Sequence, residues 1–85
     1  MIMYYLYIVR CSDNTLYTGI TTKLERRIEE HNHSAKGAKY TRTRRPVVLV
    51  YSEEYLDRSK ASKREYEIKK NMTRAMKIAL IEGYS

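Results

Sequence analysis

A chain of 85 residues can build one hydrophobic core and not two, so any functional site has to share residues with that core. With 17 Lys+Arg against 10 Asp+Glu the formal charge is +7, which favours polyanionic partners: nucleic acid first, then an acidic protein or membrane surface. The single cysteine, Cys11, excludes an internal disulfide, and the apolar start over residues 1–9 is too short to span a bilayer and has neither a basic flank nor a cleavage site, so a cytoplasmic protein is expected.

Residues 3–10 alternate, with Tyr5, Tyr7 and Val9 on one face and Tyr4, Leu6 and Ile8 on the other, which predicts a first strand. Ser12, Asp13 and Asn14 carry turn chemistry and alternation resumes over residues 15–19, giving a β-hairpin. Thr22 and Glu25 have the spacing of a capping box, so a helix is expected over residues 23–32 with Leu24, Arg27, Ile28 and His31 on its inward stripe. Arg26, Glu29 and Glu30 fall off that stripe and read as solvated charges. Residues 34–46 gather Lys36, Lys39, Arg42, Arg44 and Arg45 around Gly37 and Tyr40 with no acidic residue among them, as a basic loop or short helical turn. A β-branched run over residues 47–51 follows Pro46 and predicts a third strand. Asp57 and Thr73 are placed to cap two further helices, ending near Asn71 and Ile81, and Gly83 lies past the second. The expected organisation is one α+β domain over residues 1–85 in the order β-β-α-β-α-α.

All nine tyrosines carry a hydroxyl that phenylalanine, absent here, would not. Most suit a half-buried pleated surface, but Tyr7 and Tyr17 sit on adjacent strands and can project from one face. Arg27 and Glu65 each face inward from a helix, and an inward charge is costly unless it is paired or lines a cleft. The residues alone leave two readings open: a structural Arg27–Glu65 ion pair over a tyrosine-lined core, or a catalytic constellation.

In these features the chain resembles the GIY-YIG nuclease superfamily. Tyr5-Leu6-Tyr7 is similar to the glycine-isoleucine-tyrosine signature and Tyr17-Thr18-Gly19 to the tyrosine-isoleucine-glycine signature; Leu24-Glu25-Arg26-Arg27-Ile28 and Ala61-Ser62-Lys63-Arg64-Glu65 follow in the family's order. The stretch from Gly37 to Pro46 is similar to the basic segment of Slx-type endonucleases, and the overall likeness is to the small stand-alone YhbQ-like bacterial proteins. The resemblance implies a three-stranded antiparallel sheet flanked by helices. It also implies metal-dependent hydrolysis of DNA phosphodiester bonds, in repair or processing, with RNA as an alternative substrate. Tyr7, Tyr17, Arg27, His31 and Glu65 take the catalytic positions, and Gly19 is the motif glycine. Glu65 would hold one Mg²⁺ or Mn²⁺ ion, and either Tyr7 or Tyr17 would act as general base with His31 positioning or relaying the proton. Lys36, Lys39, Tyr40, Arg42, Arg44 and Arg45 would contact nucleic acid, Tyr40 by stacking on a base. The first signature lacks its glycine, Ile20 stands where some members have lysine, and neither Asn71 nor Lys77 matches the late asparagine of several members. With no DNA-reading domain beside it, specificity is expected to be low or to come from a protein partner. A non-catalytic nucleic-acid-binding module is the competing reading, and a domain binding an acidic protein explains the charge but not the four inward residues.

Overall fold

The computed structural model describes residues 1–83; the last two positions of the predicted domain lie outside the described residues. Its elements are β1 (Tyr4–Arg10), β2 (Leu16–Thr21), α1 (Leu24–His33), α2 (Lys39–Arg42), β3 (Val48–Tyr55), α3 (Arg58–Asn71) and α4 (Arg74–Glu82). The three strands form an antiparallel sheet in the order β2-β1-β3. None of the described helices is long and apolar enough to cross a membrane.

The hairpin closes because Asn14 adopts φ 69°, a left-handed conformation that asparagine tolerates better than most residues. Asp13 Oδ1 accepts from both the backbone N–H (3.1 Å) and the hydroxyl (2.6 Å) of Thr15, fixing the turn. The register that follows sets Tyr7 opposite Gly19 and Val9 opposite Tyr17.

Because strand residues alternate between faces, the sheet has two apolar sides. Leu6, Ile8 and Tyr51 pack on one side with Ile68 of α3, joined by Met72 and by Leu80 and Ile81 of α4. Tyr7, Val9, Cys11 and Val47 pack on the other with Leu24 and Ile28 of α1. Removing side chains such as Leu6, Ile8 and Ile68 from water contributes about 1.5–3 kcal/mol each. Cys11 is buried at the end of β1 and behaves as a small core residue.

The α+β class and the sheet agree with the sequence reading, and the local details differ in four places. The capping box does not form: Lys23 occupies the N-cap of α1 without a side-chain cap bond, and the Thr21 hydroxyl accepts from the Lys23 N–H at 3.1 Å instead. β3 continues to Tyr55, past the β-branched run, because Ser52, Glu53, Glu54 and Tyr55 pair with residues 4–7 of β1. The basic segment takes the short helical turn that the sequence allowed, and because this turn is a four-residue helix, α2, the element order becomes β-β-α-α-β-α-α. Finally, Glu30 is not a solvated charge; it is largely covered and bridges Arg26 (3.4 Å) and Arg27 (3.1 Å). The predicted caps of the last two helices are present, with Asp57 Oδ1 accepting from Ser59 N–H at 2.7 Å and Thr73 Oγ1 from Met76 N–H at 3.2 Å. The Arg45–Pro46 peptide bond is cis.

Candidate active site

Tyr7 is the centre of the site, and the strand register explains why its ring fits. A Cβ on Gly19, directly across from it, would lie 2.6 Å from the Tyr7 hydroxyl oxygen, so only glycine lets the phenol lie over β2. The ring is 1% exposed, and its hydroxyl lies 2.7 Å from Nε2 of His31, itself 0% exposed. Helical spacing accounts for the partner: His31 stands one turn after Arg27 and two after Leu24, on the stripe of α1 that faces the sheet.

The other ring nitrogen of His31, Nδ1, is 2.9 Å from the hydroxyl of Thr41 on α2, and Thr41 is fully buried. Tyr17 packs edge-on to the imidazole with ring centroids 5.5 Å apart. Burial, followed by the nearby Arg27 charge, pushes the His31 pKa down to about 4, and burial pushes that of Tyr7 up to about 12 against the lowering influence of Arg27. At neutral pH both groups are therefore uncharged.

Arg27 is half-buried beside Tyr7, and its Nη1 donates to Glu30 Oε1 at 3.1 Å and to the Lys36 carbonyl at 2.8 Å. The guanidinium is thus tied to α1 and to the start of the basic segment by one nitrogen. Glu65 on α3 is near enough to Tyr7 to oppose its ionisation, and its carboxylate is 3.3 Å from Lys69 Nζ, which in turn sits 5.4 Å from the Tyr17 ring centroid. The Arg27–Glu65 ion pair allowed by the sequence is not the pairing that forms: Arg27 bonds Glu30, and Glu65 bonds Lys69. Tyr7, Tyr17, Arg27 and His31 gather on the α1 side of the sheet, and Glu65, carried by α3, comes close enough for its charge to act on Tyr7.

The basic segment divides into two groups. Lys36, Lys39 and Arg42 are exposed. Arg45 instead donates to three carbonyls at the end of α1, those of His31 (2.6 Å), Ser34 (2.5 Å) and Glu30 (3.4 Å), so its charge stabilises the negative end of that helix. Arg44 finds an acidic partner that the local sequence lacked, Asp13 in the hairpin turn at 3.1 Å, and its guanidinium lies 3.9 Å over the Tyr40 ring. Tyr40 also stacks on Tyr17 with centroids 5.8 Å apart, so its ring is part of the wall of the site rather than the free platform expected from sequence.

Thr41 and Lys69 were not singled out from sequence. Thr41 lies among exposed charges and has no periodic signal, and Lys69 reads as an ordinary helical lysine four residues after Glu65. A metal site made of three or more His, Cys, Asp or Glu is absent among the described residues. A hydrated magnesium-type ion needs only one or two carboxylates and keeps several waters, so the half-buried Glu65, whose ion-pair partner is the displaceable surface residue Lys69, fits that demand.

Residues 3–79 match the family model for the GIY-YIG catalytic domain. A UPF0213 protein of Desulfotalea psychrophila is 70% identical over 66 residues, spanning 78% of this chain and 60% of that one. A UPF0213 protein of Staphylococcus haemolyticus is 57% identical over 82 residues, spanning 96% and 98% of the two chains. Among solved structures, the solution NMR structure of a UPF0213 protein from Bacillus halodurans is 42% identical with a TM-score of 0.61, covering 95% of this chain and 84% of that one. A solution NMR structure of a protein from E. faecalis is 39% identical with a TM-score of 0.65, covering 98% and 86%. The match over nearly all of the sheet and helices, together with these relatives, shows that the chain belongs to the GIY-YIG family of nuclease domains.

Proposed function

We propose that the protein is a metal-dependent endonuclease that hydrolyses DNA phosphodiester bonds, in repair or processing, and that Tyr7 is its general base. The observation that carries the reading is the 2.7 Å contact between the Tyr7 hydroxyl and His31 Nε2, with a guanidinium and a carboxylate around it. A phenol pushed up to about 12 is not a base by itself. It becomes one if its proton leaves for a neighbour as it takes the proton of an attacking water, and His31 is the neighbour in reach. Tyr17 has its ring against His31 and Tyr40, which suits a positioning role.

Arg27, anchored through Nη1 and lying against the Tyr7 hydroxyl, would turn its guanidinium to the scissile phosphate and stabilise the charge that grows there. Mg²⁺ or Mn²⁺ at Glu65 would supply positive charge for the leaving oxygen. Lys36, Lys39 and Arg42 would follow the backbone of DNA. An inward carboxylate favours the enzyme over a pure binding module, since without a cation it repels phosphate.

Purified protein with Mg²⁺ or Mn²⁺ is expected to nick plasmid DNA, and Glu65→Gln to bind it with unchanged affinity while cutting at least ~100-fold more slowly. Cutting that survives in Glu65→Gln removes the metal role, whereas tight binding with no cleavage by the wild-type protein supports the binding module. A panel of single-stranded, duplex, flap and branched DNA, with matched RNA, reads the substrate.

A further inference from the structure

Thr41 is a polar residue with no exposed surface, flanked on α2 by the exposed Lys39, Tyr40 and Arg42, and its hydroxyl makes two short contacts. Oγ1 lies 2.9 Å from His31 Nδ1 and 2.9 Å from the carbonyl oxygen of Ala38. A hydroxyl has one hydrogen to give, and the carbonyl can only accept. Both contacts are hydrogen bonds only if Thr41 donates to Ala38 and Nδ1–H donates to Thr41. The opposite arrangement, with Thr41 donating to a bare Nδ1, would set two oxygens face to face at 2.9 Å with no hydrogen between them. The Ala38 N–H also approaches Nδ1, but at 3.4 Å it is beyond the usual range of such bonds and is outweighed.

We infer that Thr41 is a positioning residue: by accepting the Nδ1 hydrogen of His31 it holds the ring in the tautomer whose bare Nε2 receives the hydroxyl hydrogen of Tyr7. The inference rests on the nuclease reading above for its catalytic meaning. In the step it serves, water oxygen forms a bond to phosphorus while the bond from phosphorus to the leaving oxygen breaks. The water's proton goes to the Tyr7 oxygen and the Tyr7 proton goes to Nε2, leaving an imidazolium whose Nδ1–H is still bound by Thr41. That proton returns to solvent after the cut. The reverse tautomer, with hydrogen on Nε2, offers Tyr7 no acceptor on the imidazole, and the relay fails. α2 thereby joins the site through a residue that never touches the substrate. Its fastening to α1 is tight: a Cβ on Gly37 would lie 2.7 Å from the Glu30 carbonyl, and Arg45 holds the last carbonyls of α1.

The test compares Thr41→Val, which keeps the shape and removes the hydroxyl, with Thr41→Ser, which keeps the hydroxyl. Long-range ¹H–¹⁵N NMR of the histidine rings, without DNA, reads the tautomer directly. Wild type and Thr41→Ser are expected to carry hydrogen on Nδ1 of His31, and Thr41→Val to move it wholly or partly to Nε2. On plasmid DNA with Mg²⁺, the turnover of Thr41→Val is expected to fall about 10- to 100-fold at unchanged DNA affinity, with Thr41→Ser restoring it. A wild-type ring with hydrogen on Nε2, or a Thr41→Val ring that stays unchanged, overturns the assignment even if the protein cuts DNA. A wild-type ring with hydrogen on Nδ1 in a protein that cuts nothing overturns the nuclease reading and upholds the hydrogen-bond assignment.

Discussion

His31 accounts for how a buried polar residue links stability to chemistry. Burial and then Arg27 hold its pKa at about 4 instead of the ordinary 6.5, so the unfolded chain takes up a proton that the folded protein refuses. The sign follows from linkage: stability is complete above about pH 6.5, declines as pH falls toward about 4, and levels off once the folded ring is also protonated. The decline amounts to at most about 3 kcal/mol. Glu30, held down by its bond to Arg27, and Glu53, brought down by Arg64 and two tyrosine hydroxyls against the cost of burial, lose their contributions only as carboxyls protonate, so the upper part of the window reports on His31. Urea midpoints are expected to drop steadily between about pH 6.5 and 5, with the His31 ring still neutral by NMR in the folded protein. A midpoint that stays flat there contradicts the buried neutral ring.

At the scale of elements, the placement of α3 depends on a network that runs back to β3. Glu53 accepts Arg64 Nε at 3.0 Å and 3.2 Å on its two oxygens and Nη2 at 3.0 Å, and it also accepts the hydroxyls of Tyr51 and, at 2.5 Å, Tyr55. Arg64 also pairs with Glu67. Because Glu65 is the next residue, the fork of Arg64 on β3 fixes the rotation of α3 about its axis and so the direction in which Glu65 leaves it. Removing the guanidinium leaves Glu53 short of its cation with most of its surface covered. Arg64→Met is expected to cost about 1–3 kcal/mol, read as a fall in Tm, and Arg64→Lys to recover only part, since an ammonium cannot reproduce the two-point fork. A Tm within a degree or so of wild type for Arg64→Met would show that the network is replaceable by water.

For the whole molecule, the net charge of +7 matters through where it is available. Arg44, Arg45 and Arg64 are bound to groups within the fold, whereas Lys36, Lys39 and Arg42 stand clear beside the site. Phosphate contacts release condensed counterions, so DNA affinity should fall steeply with salt. The double variant Lys39→Ala with Arg42→Ala is expected to weaken binding at low salt and to flatten the slope of log affinity against log salt by about 2. An unchanged slope would place the DNA on another surface.

The hairpin strands, the start of β3, the shared face of Tyr7 and Tyr17, the inward stripe of α1 and the caps at Asp57 and Thr73 were legible in the amino-acid order, because each rests on local spacing or on a side chain bonding its own backbone. The same periodicity put Tyr7, Arg27 and His31 on faces that had to meet. What periodicity does not carry is the choice of partner across space. Glu30 rather than Glu65 holds Arg27, Asp13 reaches Arg44 from a turn 31 residues away, and Thr41 meets Nδ1 of His31 only once α2 folds onto α1. Those pairings depend on distances between elements, which packing of the two sheet faces sets and no local pattern encodes.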